Sequence, residues 1–185
     1  MGRVMLPVSL FLFITGCALR PDAPRTALCV PPASSGQDYL AYVHEQPLRP
    51  LVCEKGREVY RFISYTYHLG VQLNSFRLEV GADGHATITL RRTDFVLKGT
   101  PPLIFDRTRM LTDDELAEFR KVFDASNYWS LPSERDFDPN CVPNGMSLVE
   151  VVRDGRYHDR ARTCSGDPSM DPVFDLVNKL DRTMK

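Results

Sequence analysis

The hydrophobic periodicities along this chain predict an α+β fold: an antiparallel sheet built from hairpins, with two helices packed on one face. Three observations carry the prediction. Alternating apolar and polar residues flank an Asp-Gly turn twice, at Asp83-Gly84 and Asp154-Gly155. Each hairpin is followed by an amphipathic stretch of helical period. The first of these stretches carries a complete set of helix-start signals.

The elements follow in chain order. Residues 58–68 read EVYRFISYTYH, rich in β-branched and aromatic side chains and free of Gly and Pro, which predicts a strand. A second strand at 75–80 places Phe76, Leu78 and Val80 on one face. After the turn at 82–84, a third places Ala86, Ile88 and Leu90 on one face. A short fourth strand is expected at 103–105, after Pro101-Pro102. Thr112 then starts a helix as N-cap, with Glu115 completing a capping box and Leu111 and Leu116 forming a hydrophobic staple. Asp113 and Asp114 sit in the first turn, where the helix dipole favours negative charge. Leu116, Phe119, Val122 and Phe123 form the buried stripe, and the helix is expected to end at Ser126 or Asn127. Tyr128, Trp129 and Leu131 fold back as core ahead of Pro132. A second hairpin spans 147–152 and 156–163. Asp171-Pro172 starts the last helix as N-cap and N1, with Val173, Leu176, Val177 and Leu180 on its apolar face.

Composition bounds the function. The chain has 185 residues, 23 Lys+Arg against 24 Asp+Glu, and a net charge of −1. That length suits one domain with a tail. The charge balance excludes nucleic acid as a partner, since displacing phosphate counterions takes a dense basic surface. Ample aromatic residues exclude a wholly disordered chain.

The N-terminus reads as an address. Arg3 is the lone positive charge before an apolar stretch at 4–14, interrupted by Pro7. Such a stretch suits a signal peptide and falls short of the ~20 apolar residues that span a bilayer. It ends in Ile14-Thr15-Gly16-Cys17, which resembles the lipobox of bacterial lipoproteins. The resemblance implies cleavage before Cys17, a diacylglycerol on its thiol and acylation of its amine, which together anchor a protein without a transmembrane helix. Ala18, rather than Asp, after the cysteine implies the outer membrane, on its periplasm-facing leaflet. The plainer alternative is ordinary cleavage after Ala18, which releases a soluble periplasmic protein.

Four further cysteines remain: Cys29, Cys53, Cys141 and Cys164. An even number in an exported chain predicts disulfides, with three pairings open. Cys29 and Cys53 flank the 37–44 stretch, where Asp38 can cap a short helix bearing Tyr39, Leu40 and Val43. Cys141 and Cys164 lie beyond the open end of the second hairpin, and closing that loop would stabilise the fold by ~3 kcal/mol in the chain-entropy treatment. Pro21, Pro24, Pro31 and Pro32 make the intervening segment an extended tether. The expected division is a signal peptide at 1–16, lipidated cysteine plus tether and short helix at 17–49, and an α+β globular domain at 50–185.

Tyr60-Arg61-Phe62, then Tyr128-Trp129-Ser130-Leu131-Pro132, then Glu150 through Arg153-Asp154-Gly155-Arg156-Tyr157-His158, resemble an uncharacterised family of small proteobacterial envelope domains. The likeness covers most of 58–183. It implies the fold and the compartment and brings no activity with it.

Candidate chemistry is sparse. Arg156, His158, Arg160 and Arg162 share strand parity and would form a cationic ridge for phosphate or carboxylate groups. The alternative is a charged strand face that discourages edge pairing. Asp136, Asp138 and Asn140 have the opening spacing of a calcium loop, but Cys141 and Ser147 stand where that loop needs Gly and Glu. No Cys-x-x-Cys or close His pair suggests zinc, so no metal or cofactor is expected. Tyr60, Phe62, Tyr65 and Tyr67 would stack on sugars if exposed, and otherwise form core. No nucleophile elbow, zincin or Walker motif is present, although a site assembled from distant residues needs none. The sequence therefore predicts a lipid-anchored envelope protein without catalytic residues. It would bind another envelope protein, a cell-wall fragment or an anionic lipid head group. An envelope hydrolase with a dispersed site and a secreted enzyme inhibitor are the alternatives.

Overall fold

A computed structural model describes residues 38–67, 69–132, 145–162 and 168–184. Six strands form one open antiparallel sheet: β1 (Glu58–Thr66), β2 (Gln72–Val80), β3 (Ala86–Thr93), β4 (Leu103–Met110), β5 (Gly145–Arg153) and β6 (Arg156–Arg162). Their order across the sheet is β4-β3-β2-β1-β5-β6. The first four make a meander. Helix α1 (Asp113–Ala125) then carries the chain back, so that β5 pairs antiparallel with β1 and β6 closes the far edge. Helix α2 (Asp171–Arg182) ends the described chain.

Both helices lie on one face, as the periodicity predicts. Tyr60, Phe62, Phe76, Leu78, Ile88, Leu90, Val149 and Val151 point toward Leu116, Phe119 and Phe123 of α1 and Val173, Leu176, Val177 and Leu180 of α2. Tyr60 meets Phe119 and Phe123 edge-on at 4.9 and 4.7 Å between ring centres. Tyr60 and Phe62 are therefore core and not sugar platforms. The capping box at Thr112 and Glu115 is complete, and Leu111 and Leu116 are both buried behind it. Ser126 caps the helix end, and Asn127 follows in the left-handed conformation.

The turns behave as their residues require. Asp154 and Gly155 both have positive φ (55° and 67°), which gives a two-residue hairpin whose twist matches the strands. The structure corrects some boundaries. β2 begins at Gln72 and β4 runs to Met110, because each follows its pairing partner beyond its apolar stretch, whereas β1 ends at Thr66, where its pairing with Gln72 and Gly145 stops. Asp171 is the first residue of α2 and not its N-cap. Met170 takes that position with no side-chain cap, because packing buries Met170 in the core.

The second face of the sheet is covered too. Residues 38–53, containing 3-10 turns at Asp38–Val43 and Arg49–Cys53, lie across it. Leu40 and Val43 pack on Ile63, Leu73 and Leu148, and Leu48 packs on Val59 and Val152. Residues 38–49, expected in the tether, therefore contribute buried core. Between these apolar clusters lies a layer of charge.

Candidate functional site

Directly paired residues of an antiparallel sheet share a face, so register places each candidate side chain. On the face under residues 38–53, one row runs Asp159, Glu150, Arg61, Arg77, Thr89, Thr108. Arg61 is fully buried. It donates to Glu150 through Nε (2.9 Å) and Nη2, and to the Gln46 carbonyl (2.6 Å) and Glu45 (3.3 Å) through Nη1. The Glu45 carboxylate also accepts from Arg77 (2.9 Å) and Arg91 (3.0 Å). Three arginines thus converge on one buried carboxylate. His44, in the left-handed conformation, ends the first 3-10 turn and aims Glu45 inward. Tyr157 completes the layer by donating to Glu150 (2.9 Å). Burial first, and the Glu150 charge second, push the Tyr157 hydroxyl pKa well up. A cleft of about 380 Å³ opens beside Glu45, Arg77 and Arg91. The charged groups lining it already satisfy one another, so it serves the fold before any ligand.

The predicted basic strand stands on the helix-side face. Arg162, Arg160, His158 and Arg156 pair with Ser147, Val149, Val151 and Arg153, so the four residues do share one side with core valines. The segment 128–132 lies against them. Arg156 lies over the Trp129 ring, 4.4 Å from its centre. His158 meets the Leu131 carbonyl through Nε2 (2.8 Å), and Arg160 donates to the Pro132 carbonyl (2.6 Å). Tyr128 donates to the Val149 and His158 carbonyls (2.9 and 3.1 Å). Arg156, His158 and Arg160 are thus engaged in holding this segment against the sheet edge.

A second cleft of about 380 Å³ lies on the same face, between α2 and the end of the sheet. Register aligns Arg92, Asn74, Ser64 and Ser147 in a polar row across β3, β2, β1 and β5. Phe62, Phe76 and Leu90 form the apolar ground beside that row, and Phe174, Val177 and Asn178 of α2 form the opposing wall. Asp181 pairs with Arg92 through both carboxylate oxygens, which neutralises the cleft's cation. The side chains of Ser64, Asn74, Ser147 and Asn178 have no hydrogen-bond partner among the described residues. No histidine, cysteine or lysine is among the described residues that line the cleft. Nothing in the sequence marks this row except its position two residues along the strands from Phe62 and Phe76.

Cys53, at the end of the second 3-10 turn, is exposed. Cys17, Cys29, Cys141, Cys164, His68 and the 136–140 loop lie outside the described residues. Among the described residues, no group of three His, Cys, Asp or Glu is placed to hold a metal ion, and no helix is long and apolar enough to cross a membrane. In comparisons with known proteins, no family model matches the chain and no curated protein matches it.

Proposed function

We propose that this chain is a lipid-anchored protein of the bacterial outer membrane, facing the periplasm, whose domain binds a cell-wall fragment without catalysis. The observation that carries the binding reading is the cleft at α2. Ser64, Asn74, Ser147 and Asn178 present uncommitted hydroxyl and amide groups beside an apolar wall. Neutral donors and acceptors beside the half-buried ring of Phe174 suit sugars and peptide amides, the chemistry of a cell-wall fragment. An anionic head group suits it less, because Asp181 already occupies Arg92. The carboxylate among the described lining residues, Asp181, is held by Arg92, so hydrolysis by an activated Ser64 or Ser147 lacks an unpaired base there.

The anchor reading rests on Arg3, the apolar stretch at 4–14 and the lipobox at Cys17. Cys53 is not a free thiol, which supports an oxidising compartment and a Cys29–Cys53 disulfide, with Cys141–Cys164 as the second.

Two experiments test the reading. Intact-mass analysis of detergent-extracted protein is expected to show an acylated N-terminal Cys17, and Cys17→Ser is expected to leave the membrane fraction. An unmodified N-terminus at Leu19 would eliminate the anchor. Calorimetric titration with soluble muropeptides is expected to show binding that Asn74→Leu weakens about tenfold, the cost of unpaired ligand polar groups. Equal binding by the two proteins would exclude the cleft.

A further inference from the structure

The two ends of the sheet have opposite character. At one end, the turns at 82–84 and 154–155 expose Asp83, Gly84, Asp154 and Gly155. At the other, the β1–β2 and β3–β4 loops expose Leu97 (80%), Leu69 (71%), Phe95 (45%) and Tyr67 (38%). We infer that this apolar tip docks onto the lipid bilayer to which the anchor ties the chain. The inference rests on the anchor reading given above and adds a second, direct membrane contact.

The tip is preformed. Val71 and Val96 exchange backbone hydrogen bonds (2.6 and 3.0 Å), which stitches the two loops together. Gly70 lies so close to Phe95 that a Cβ there would collide with the ring. At the loop base, Asp94 accepts from the Phe95 amide (2.8 Å) and donates its own amide to Pro102 (2.8 Å). The acidic side chain is thereby turned to the backbone, and Lys98 sits beside Leu97. Leucine, phenylalanine and tyrosine with a neighbouring lysine is the composition that settles at a lipid–water boundary.

The path of the chain selects the bilayer over other occupants. Tyr39, one residue from the start of the described chain, stacks on Tyr65 at 5.2 Å, and Tyr65 lies 5.5 Å from Tyr67. The chain thus enters the folded unit at the apolar end. Cys17 lies only the 18–37 stretch upstream. At the ~3.1 Å per residue of an extended Pro-rich tether, that stretch reaches at most about 60 Å, less if Cys29 is tied to Cys53. Tethering at such a distance makes docking intramolecular, so a modest apolar contact suffices. The α2 cleft opens at the same end of the sheet, which would hold it near the membrane surface.

The test uses the full, lipidated chain in phosphatidylglycerol–phosphatidylcholine vesicles. Leu97→Cys and Asp83→Cys are each labelled with an environment-sensitive dye, with the wild type as labelling blank. The expected result is a blue shift at position 97, quenched by nitroxide-bearing lipid, with water-like emission at position 83. Water-like emission at both positions overturns the proposal. A blue shift at 97 without nitroxide quenching also overturns it, in favour of a protein partner or a second copy. Intact mass of the same sample separates the two readings. Acylated protein with water-like position 97 overturns the tip alone. Unacylated protein overturns the anchor, and lipid quenching at 97 in that sample still supports the tip.

Discussion

The two faces of the sheet are both buried, by opposite chemistry. The helix side is a jigsaw of aromatic and aliphatic side chains, whereas the other side is a salt-bridged layer sealed by 3-10 turns. The difference teaches how each face depends on its neighbours. Truncating an apolar side chain leaves a cavity, while removing an ionic partner leaves a charge stranded in low dielectric.

The largest expected effects break the two faces in turn. Phe119→Ala should cost about 3–5 kcal/mol in denaturant unfolding, because the cavity it leaves is ringed by Tyr60, Phe62 and Phe123. Arg61→Ala should cost a similar ~3–5 kcal/mol by stranding Glu150, which keeps the Tyr157 hydroxyl but loses its cation. The double replacement Arg61→Met with Glu150→Leu sharpens the contrast. It should cost clearly less than the sum of its single replacements, since it removes both charges of one pair. Additive losses would show that the pair is not coupled.

Next comes the cover itself. Glu45→Ala should destabilise by ~3 kcal/mol and speed hydrogen exchange through residues 38–53 more than in α1, because three arginines lose their shared partner. Uniform acceleration would make the cover part of one cooperative unit.

Alkaline titration tests the hydroxyls on both faces. Burial first raises the pKa of Tyr60, Tyr128 and Tyr157, with nearby carboxylates adding to it. Their folded pKa lies above the unfolded value of about 10, so their contribution is complete below pH 10 and is lost as pH rises beyond it. Ultraviolet absorbance should show these three ionising together with unfolding. Separate ionisation in a folded protein would contradict their burial.

The smallest effects are local. Thr112→Ala should cost about 1 kcal/mol through loss of the cap. At acid pH, the hydrogen bond from Arg109 and the Thr112 amide hold Glu115 down at about 2, against burial. That contribution is present above the ordinary carboxylate range and fades as pH falls toward 2. Glu115→Gln should remove the acid dependence.

How much of this was legible follows from distance along the chain. The Asp-Gly turns, the capping box and the helix stripes are local patterns, and each appears where its residues predict. The charged face was not legible. Arg61, Arg77, Glu79 and Arg91 alternate with core residues just as a solvated face does, and only the cover from 38–53 buries them. Glu45 carried no signal, because its partners stand 16, 32 and 46 positions away. Of the site, the basic strand was visible as a pattern, but its partners at 128–132 come from beyond the sheet. The α2 cleft depends on register between four strands and a helix, which no single stretch encodes.

The binding claim is tested most directly by amide shift mapping of the isotope-labelled protein during titration with a soluble muropeptide. Perturbations centred on Ser64, Asn74, Ser147 and Asn178 are expected. Perturbations centred on Arg156–Arg162 instead, or none at saturating ligand, would contradict it.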